Sequence, residues 1–183
     1  MIKITVSLVI MFIAAGIIMT VVFAKTAPVI KEAKEREARE ARQKMMPDAD
    51  EIVEAGEWLP FGKHAKYFEC KKAGETMGYL ISGYGKGYSS YISILIASDR
   101  DMKIREIKIL GHGETPGLGD EIEKDHFRSQ FKGRTVEQLE VVKTQGTDRI
   151  QAISGVTISS RAVTGGVKEA MKLLRARYLG VKE

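Results

Sequence analysis

The sequence predicts an α+β protein: a single N-terminal transmembrane helix, a charged stalk helix, then one globular domain with a mainly antiparallel sheet and helices. Three observations carry that expectation. The first 25 residues are almost wholly apolar, and a run of Glu, Lys and Arg at helical spacing follows. From about residue 48, β-branched and aromatic runs come in succession, with helical patterns concentrated late, which favours α+β over a doubly wound sheet. A chain of 183 residues has room for one ordinary domain plus such attachments.

The opening segment, 1–25, is "MIKITVSLVIMFIAAGIIMTVVFAK", uncharged from Ile4 to Ala24. At about 1.5 Å per residue it spans a hydrocarbon core of about 30 Å. Cleaved signal peptides have shorter apolar cores, about 7–15 residues, and end at small-residue sites, which "VVFAKTAP" does not provide. A retained membrane anchor is the expectation. Lys25, Lys31, Lys34 and Arg36 follow the span and only Lys3 precedes it, so the charge bias taken alone places the bulk of the chain in the cytoplasm.

Segment 26–47 contains Pro28, which suits a first helical turn, and opposite charges four apart: Lys31–Glu35, Glu32–Arg36, Glu35–Arg39 and Arg36–Glu40. It has no broad apolar face, so it reads as a solvated stalk ending near Pro47. The domain is expected over 48–183. "KYFECKK", "MGYLISGYG", "YISILIASD" and "KIREIKILGH" read as strands, punctuated by Gly83 to Gly87. "GDEIEKDHFRSQF" reads as a helix and a turn. "SSRAVTGGVKEAMKLLRARYLG" is the closing helix, with Val163, Val167, Ala170, Met171 and Leu174 at helical spacing.

Composition narrows the function. The net charge of +5 is scattered, without the arginine-rich or aromatic-interleaved stretches that favour nucleic acid. One cysteine, Cys70, allows no internal disulfide and no thiolate cluster. His64 and His126 lack ligand spacing, so no metal site is expected, and His112 reads as a structural histidine at a strand end. Trp58 reads as core packing. Asp120, Glu121, Glu123 and Asp125 read as a solvated face, and Tyr84 and Tyr88 as residues of a turn.

Two stretches carry chemistry. In "AISGVTISSRAVTGG", Ser154, Gly155, Thr157, Ser159 and Ser160 crowd ahead of Arg161 at the start of the last helix. Gly155 permits close approach of a ligand, and Ser159 or Ser160 suits an N-cap. A helix start offers free N–H groups to a phosphate, and Arg161 can add a charged contact. From spacing alone this is either an anion site or helix capping. In "GHGETPGLGDEI", Gly111, Gly113, Gly117 and Gly119 bare the backbone, and Pro116–Gly117 fits the centre of a type II turn. Glu114, Thr115 and Leu118 supply the mixed polar and apolar contacts that a flat heteroaromatic ring needs. A plain glycine-rich connection is the equal alternative.

Together the two stretches resemble the FMN-binding domain of the G subunit of the Rnf complex, shared with the C subunit of the sodium-pumping NADH:quinone reductase. In that family a threonine in an S-G-A-T-x-S-S pattern is joined to FMN by a phosphoester. Here the pattern is Ser154-Gly155-Val156-Thr157-Ile158-Ser159-Ser160, so the resemblance makes Thr157 the acceptor. The family's H-x-E-T-P-G-L-G pattern stands at His112 to Gly119. Val156 replaces the usual alanine and Gln151 the usual aspartate, in the neighbourhood that the attaching flavin transferase reads.

The resemblance implies a membrane-anchored electron carrier in an ion-translocating ferredoxin:NAD oxidoreductase. Its implied partners are the other Rnf subunits, including the integral membrane D subunit. It places Glu114, Thr115, Gly117 and Leu118 around the ring, and Ser154, Gly155, Ser159, Ser160 and Arg161 about the tethered phosphate. It also implies a soluble domain on the outer face of the cytoplasmic membrane, against the charge bias. The alternative, supported by Gln151 and Val156, is a non-redox binding or scaffold module of the same fold with reversibly bound flavin or none.

Overall fold

The computed structural model describes residues 2–143 and 148–180. It divides into two compact units, 1–40 and 41–183. The first is helical. Helix α1, Ile2–Met45, runs on without a break, so the anchor and stalk sequences form a single helix with Pro28 inside it. The helix is long and apolar enough to cross a membrane. Ile4, Leu8, Phe12, Ile18 and Phe23 are all exposed, a surface that suits lipid and not water. Thr20, inside the apolar run, and Thr26, just past it, donate their hydroxyls to the carbonyls of Gly16 and Val22, which keeps these polar groups satisfied on the helix.

The second unit is built on a five-stranded antiparallel sheet in the order β1-β2-β3-β4-β5: Glu51–Trp58, Ala65–Lys72, Glu75–Lys86, Tyr91–Asp99 and Ile104–Gly111. The sheet is a meander, each strand pairing with the next. Strand alternation separates two apolar faces. Ile81, Ile92, Ile94 and Ile96 lie with Val163, Val167, Ala170 and Met171 in one core. Phe68, Cys70, Leu80, Leu95 and Ala97 lie with Ala41, Met45 and Met46 in the other.

Beyond the sheet come a short helix α2, Asp125–Arg128, and the two-residue parallel pair β6, Val141–Val142, and β7, Ile150–Gln151. Helix α3, Thr157–Leu179, then closes the first face.

Several expectations need correction. Strand β1 has no counterpart in the sequence reading: its burial pattern lacks clean alternation, as befits a charged edge strand. Gly83 and Gly85 do not punctuate strands. They lie inside β3, and so does Tyr84. A Cβ on Gly85 would come 2.0 Å from the Ala162 carbonyl oxygen, and one on Gly166 would come 2.7 Å from that of Tyr84. These glycines let helix and strand backbones touch. The stretch 119–131, expected as a helix and a turn, is a 3₁₀ turn (Gly119–Glu123), one α turn and a second 3₁₀ turn (Ser129–Phe131), because Ile122, Phe127 and Phe131 must all be buried.

Helix α3 begins two residues before Ser159, after Val156, so neither Ser159 nor Ser160 is its N-cap. The Ser160 hydroxyl instead donates to the Val156 carbonyl at 2.9 Å and accepts the Ile153 N–H at 3.2 Å, stitching the preceding loop onto the helix. Trp58 packs against the first core, its indole N–H donating to the Ser82 carbonyl at 2.9 Å.

Candidate functional site

Two turns of the same kind form the site. In the first, the Leu118 N–H returns to the Thr115 carbonyl at 3.2 Å across Pro116–Gly117, with Gly117 at φ +80°. That is the type II geometry the dipeptide predicts. In the second, the Val156 N–H returns to the Ile153 carbonyl at 3.0 Å across Ser154–Gly155, with Gly155 at φ +79°. A side chain at either glycine would be strained.

Between the turns lies a cleft of about 340 Å³, within the range usual for small-molecule sites. Glu114, Thr115, Leu118 and Gly119 line one side, Gly155 to Ser159 line the other, and Tyr88 from the β3–β4 turn completes it. Leu118, Ile158 and Tyr88 are exposed at the opening. The structure thus brings Thr157, Gly155, Ser159, Glu114, Thr115 and Leu118 to one cleft. Ser154, Gly117, Ser160 and Arg161 do not line it: Gly117 shapes its turn, Ser160 faces the core, and Ser154 and Arg161 are exposed.

Glu114 is buried, and both its oxygens are engaged. Oε1 accepts the N–H groups of Ser89 and Ser90 at 3.0 and 3.1 Å. Oε2 accepts the Tyr88 N–H at 3.0 Å and the Ser159 hydroxyl at 2.5 Å. Burial pushes its pKa up, but the Ser159 hydroxyl and the three N–H groups outweigh that, and the net shift is downward from 4.5. His112 supports the same loop. Its Nδ1 accepts the Glu114 N–H at 3.2 Å, so Nε2 carries the proton, facing Glu123 at 3.1 Å. Asp120 accepts the Gly117 N–H at 2.8 Å, so this acid has a structural use beyond solvation.

Thr157 differs from its neighbours. The hydroxyls of Ser159, Ser160 and Thr164 are all hydrogen-bonded. Among the described residues the Thr157 hydroxyl has no such partner, and it stands at the first helical position on the cleft wall. The N–H groups of that first turn carry no side-chain cap. Sequence reading missed Tyr88 as a wall of this cleft, because only the sheet register brings the β3–β4 turn beside the glycine-rich loop.

Known proteins resemble this chain along most of its length. It is 36% identical to the G subunit of the proton-translocating ferredoxin:NAD(+) oxidoreductase complex of Clostridium ljungdahlii, over 92% of this chain and 89% of that protein. The chain belongs to the family of Rnf G subunits. A second member, the G subunit of the Na(+)-translocating ferredoxin:NAD(+) oxidoreductase complex of Acetobacterium woodii, is 32% identical over 81% of this chain and 79% of its own.

Residues 87–172 match the FMN-binding domain, a range that starts at the β3–β4 turn and ends within α3. The fold is that of Shewanella oneidensis NqrC, with TM-score 0.54 and 22% identity over 72% of this chain and 69% of that one. The C subunit of the Na(+)-translocating NADH-quinone reductase of Parabacteroides distasonis is similar, with TM-score 0.53 and 27% identity over 66% and 65%.

The cleft fits what an FMN-binding domain must hold. Two glycine turns bare the backbone, Leu118 and Ile158 offer apolar contacts, and the Thr157 hydroxyl, without a partner among the described residues, stands at a helix start that has no side-chain cap. Val156 is buried in the first core.

Proposed function

We propose that this chain is the membrane-anchored flavoprotein subunit of an Rnf-type ion-translocating ferredoxin:NAD oxidoreductase, carrying electrons through FMN joined to Thr157 by a phosphoester. The observation that carries this reading is the unbonded Thr157 hydroxyl on the cleft wall, in the second of the two motifs. A flavin transferase would join this oxygen to the phosphorus of a phosphoanhydride-activated flavin. The Oγ1–P bond forms as the anhydride P–O bond breaks, the other phosphate-bearing half leaves as its monoester anion, and the hydroxyl proton passes to a base on the transferase. FMN, once bound, supplies one- and two-electron chemistry.

The chain's own residues position and shield. The first turn of α3 would hold the ester phosphate through its N–H groups and partial positive charge. The Thr115–Leu118 turn and Ile158 would flank the ring, and Glu114 orders the wall beside it. No residue here need exchange a covalent bond during electron transfer. The partners in this reading are the other subunits of the complex, among them the integral D subunit. The globular unit lies on the outer face of the cytoplasmic membrane, testable by protease access to intact spheroplasts.

The decisive experiment is in-gel flavin fluorescence of the denatured full chain from cells carrying the transferase. Wild type should fluoresce and Thr157→Ala should be dark while still folded. Fluorescence persisting in Thr157→Ala would remove Thr157 as the attachment point. A dark wild type would favour the non-redox scaffold, the reading that Gln151 and Val156 support.

A further inference from the structure

We infer that Glu114 is the positioning residue of this cleft: its carboxylate ties the β3–β4 turn to the first turn of α3 and thereby sets where Thr157 faces. This inference rests on reading the cleft as the flavin site. It changes the part Glu114 plays there, from a contact to the ring into the fastening that holds the two walls.

A carboxylate accepts about four hydrogen bonds, two at each oxygen. Here Oε1 holds Ser89 and Ser90, and Oε2 holds Tyr88 and Ser159. All four places are taken by the protein, so no acceptor remains for a ring N–H. The surroundings are shaped around this side chain. A Cβ on Gly87 would come 2.6 Å from Oε1, and a Cβ on Gly119 would come 2.2 Å from the Glu114 Cβ. A second tie runs alongside, from the Gly113 N–H to the Ser90 hydroxyl at 2.6 Å.

The consequence falls on α3. Successive helical residues are turned by about 100°, so fixing Ser159 fixes the azimuth of Thr157 two residues earlier. Only an acceptor can serve. Glutamine at 114 would turn an NH₂ group toward at least one of four donors, leaving a buried mismatch.

The test uses the full chain in detergent, made in cells co-expressing the transferase, and has two arms. In a Thr157→Ala background, free of tethered flavin, adding Glu114→Gln should speed hydrogen exchange at the Tyr88, Ser89 and Ser90 amides by about tenfold or more. Unchanged exchange there overturns the inference, whatever the flavin does.

In chains with Thr157 intact, Glu114→Gln and Ser159→Ala should each alter the visible circular dichroism of the attached flavin, while Trp58 fluorescence shows the fold retained. A wild-type flavin spectrum in both variants reduces Glu114 to a structural tie and overturns its positioning role. A flavin-free wild type sinks the flavin reading instead, and the exchange arm still judges the tie.

Discussion

The two faces of the sheet are closed by helices in opposite ways. On the face that carries the cleft, α3 meets β3 backbone to backbone: a Cβ on Gly85 or Gly166 would collide with a backbone carbonyl, and one on Gly83 would stand a tight 3.3 Å from the Gly166 carbonyl oxygen. On the other face, the last turn of α1 and the residue after it close the sheet with flexible side chains. Met45 and Met46 pack on Leu80, Leu95 and Ala97, and the Arg42 guanidinium lies 4.5 Å from the centre of the Phe68 ring. The first contact admits one register only. The second can adjust, because methionine fills irregular space at little cost. The face that carries Thr157 is the rigid one, and the face closed by methionines is the compliant one.

Substitution can break that contrast. Gly85→Ala should be the most damaging single change, destabilising the globular unit by about 3 kcal/mol, because its Cβ would stand 2.0 Å from backbone that cannot move aside. Denaturant unfolding followed by the single tryptophan, Trp58, measures it. On the compliant face, Met46→Leu should lose no more than about 1 kcal/mol in the same assay. Equal losses at the two positions would erase the difference between the faces.

Acid sharpens the comparison without a mutation. Glu114 belongs to the rigid side, and its pKa is lowered from 4.5 in the folded protein. Its contribution is therefore fully present above the unfolded value and is lost as pH falls through the lower folded value. Titrating from pH 6 downward, the Tyr88–Ser90 amides should lose protection below about pH 4.5, before the strand amides around Leu95. Simultaneous loss at both would show the tie to be no weaker than the sheet.

The smallest effect is a gain. Gly165 is exposed and has open space where a Cβ would go, so Gly165→Ala should stabilise α3 by about 0.5–1 kcal/mol. A loss there would mean that the helix is packed on a side where the structure shows none.

Much of this was legible in the residues. The membrane helix follows from an apolar run without charge, and β2 to β5 follow from their β-branched content. Pro116–Gly117 announced a turn, Gly155 announced unusual backbone freedom, and both glycines do hold positive φ. Edge strand β1 was illegible because charged residues mask its period. The start of α3 was misplaced because serines that look like caps are used elsewhere: Ser159 on Glu114 and Ser160 on the loop before it. Gly83 and Gly85 read as breakers because a sequence does not display the helix that needs their bareness.

The sequence by itself determined that there is a membrane helix, a mainly antiparallel sheet, a closing helix, a turn at Pro116–Gly117 beside Glu114 and a permissive glycine, Gly155, just before Thr157, since each of these rests on local composition, spacing or backbone freedom. Only the tertiary structure decided that the two turns face each other, that Tyr88 joins them, and that Glu114 is consumed by four protein donors. Those facts depend on strand register and on a backbone-to-backbone helix contact, which bring together residues far apart along the chain.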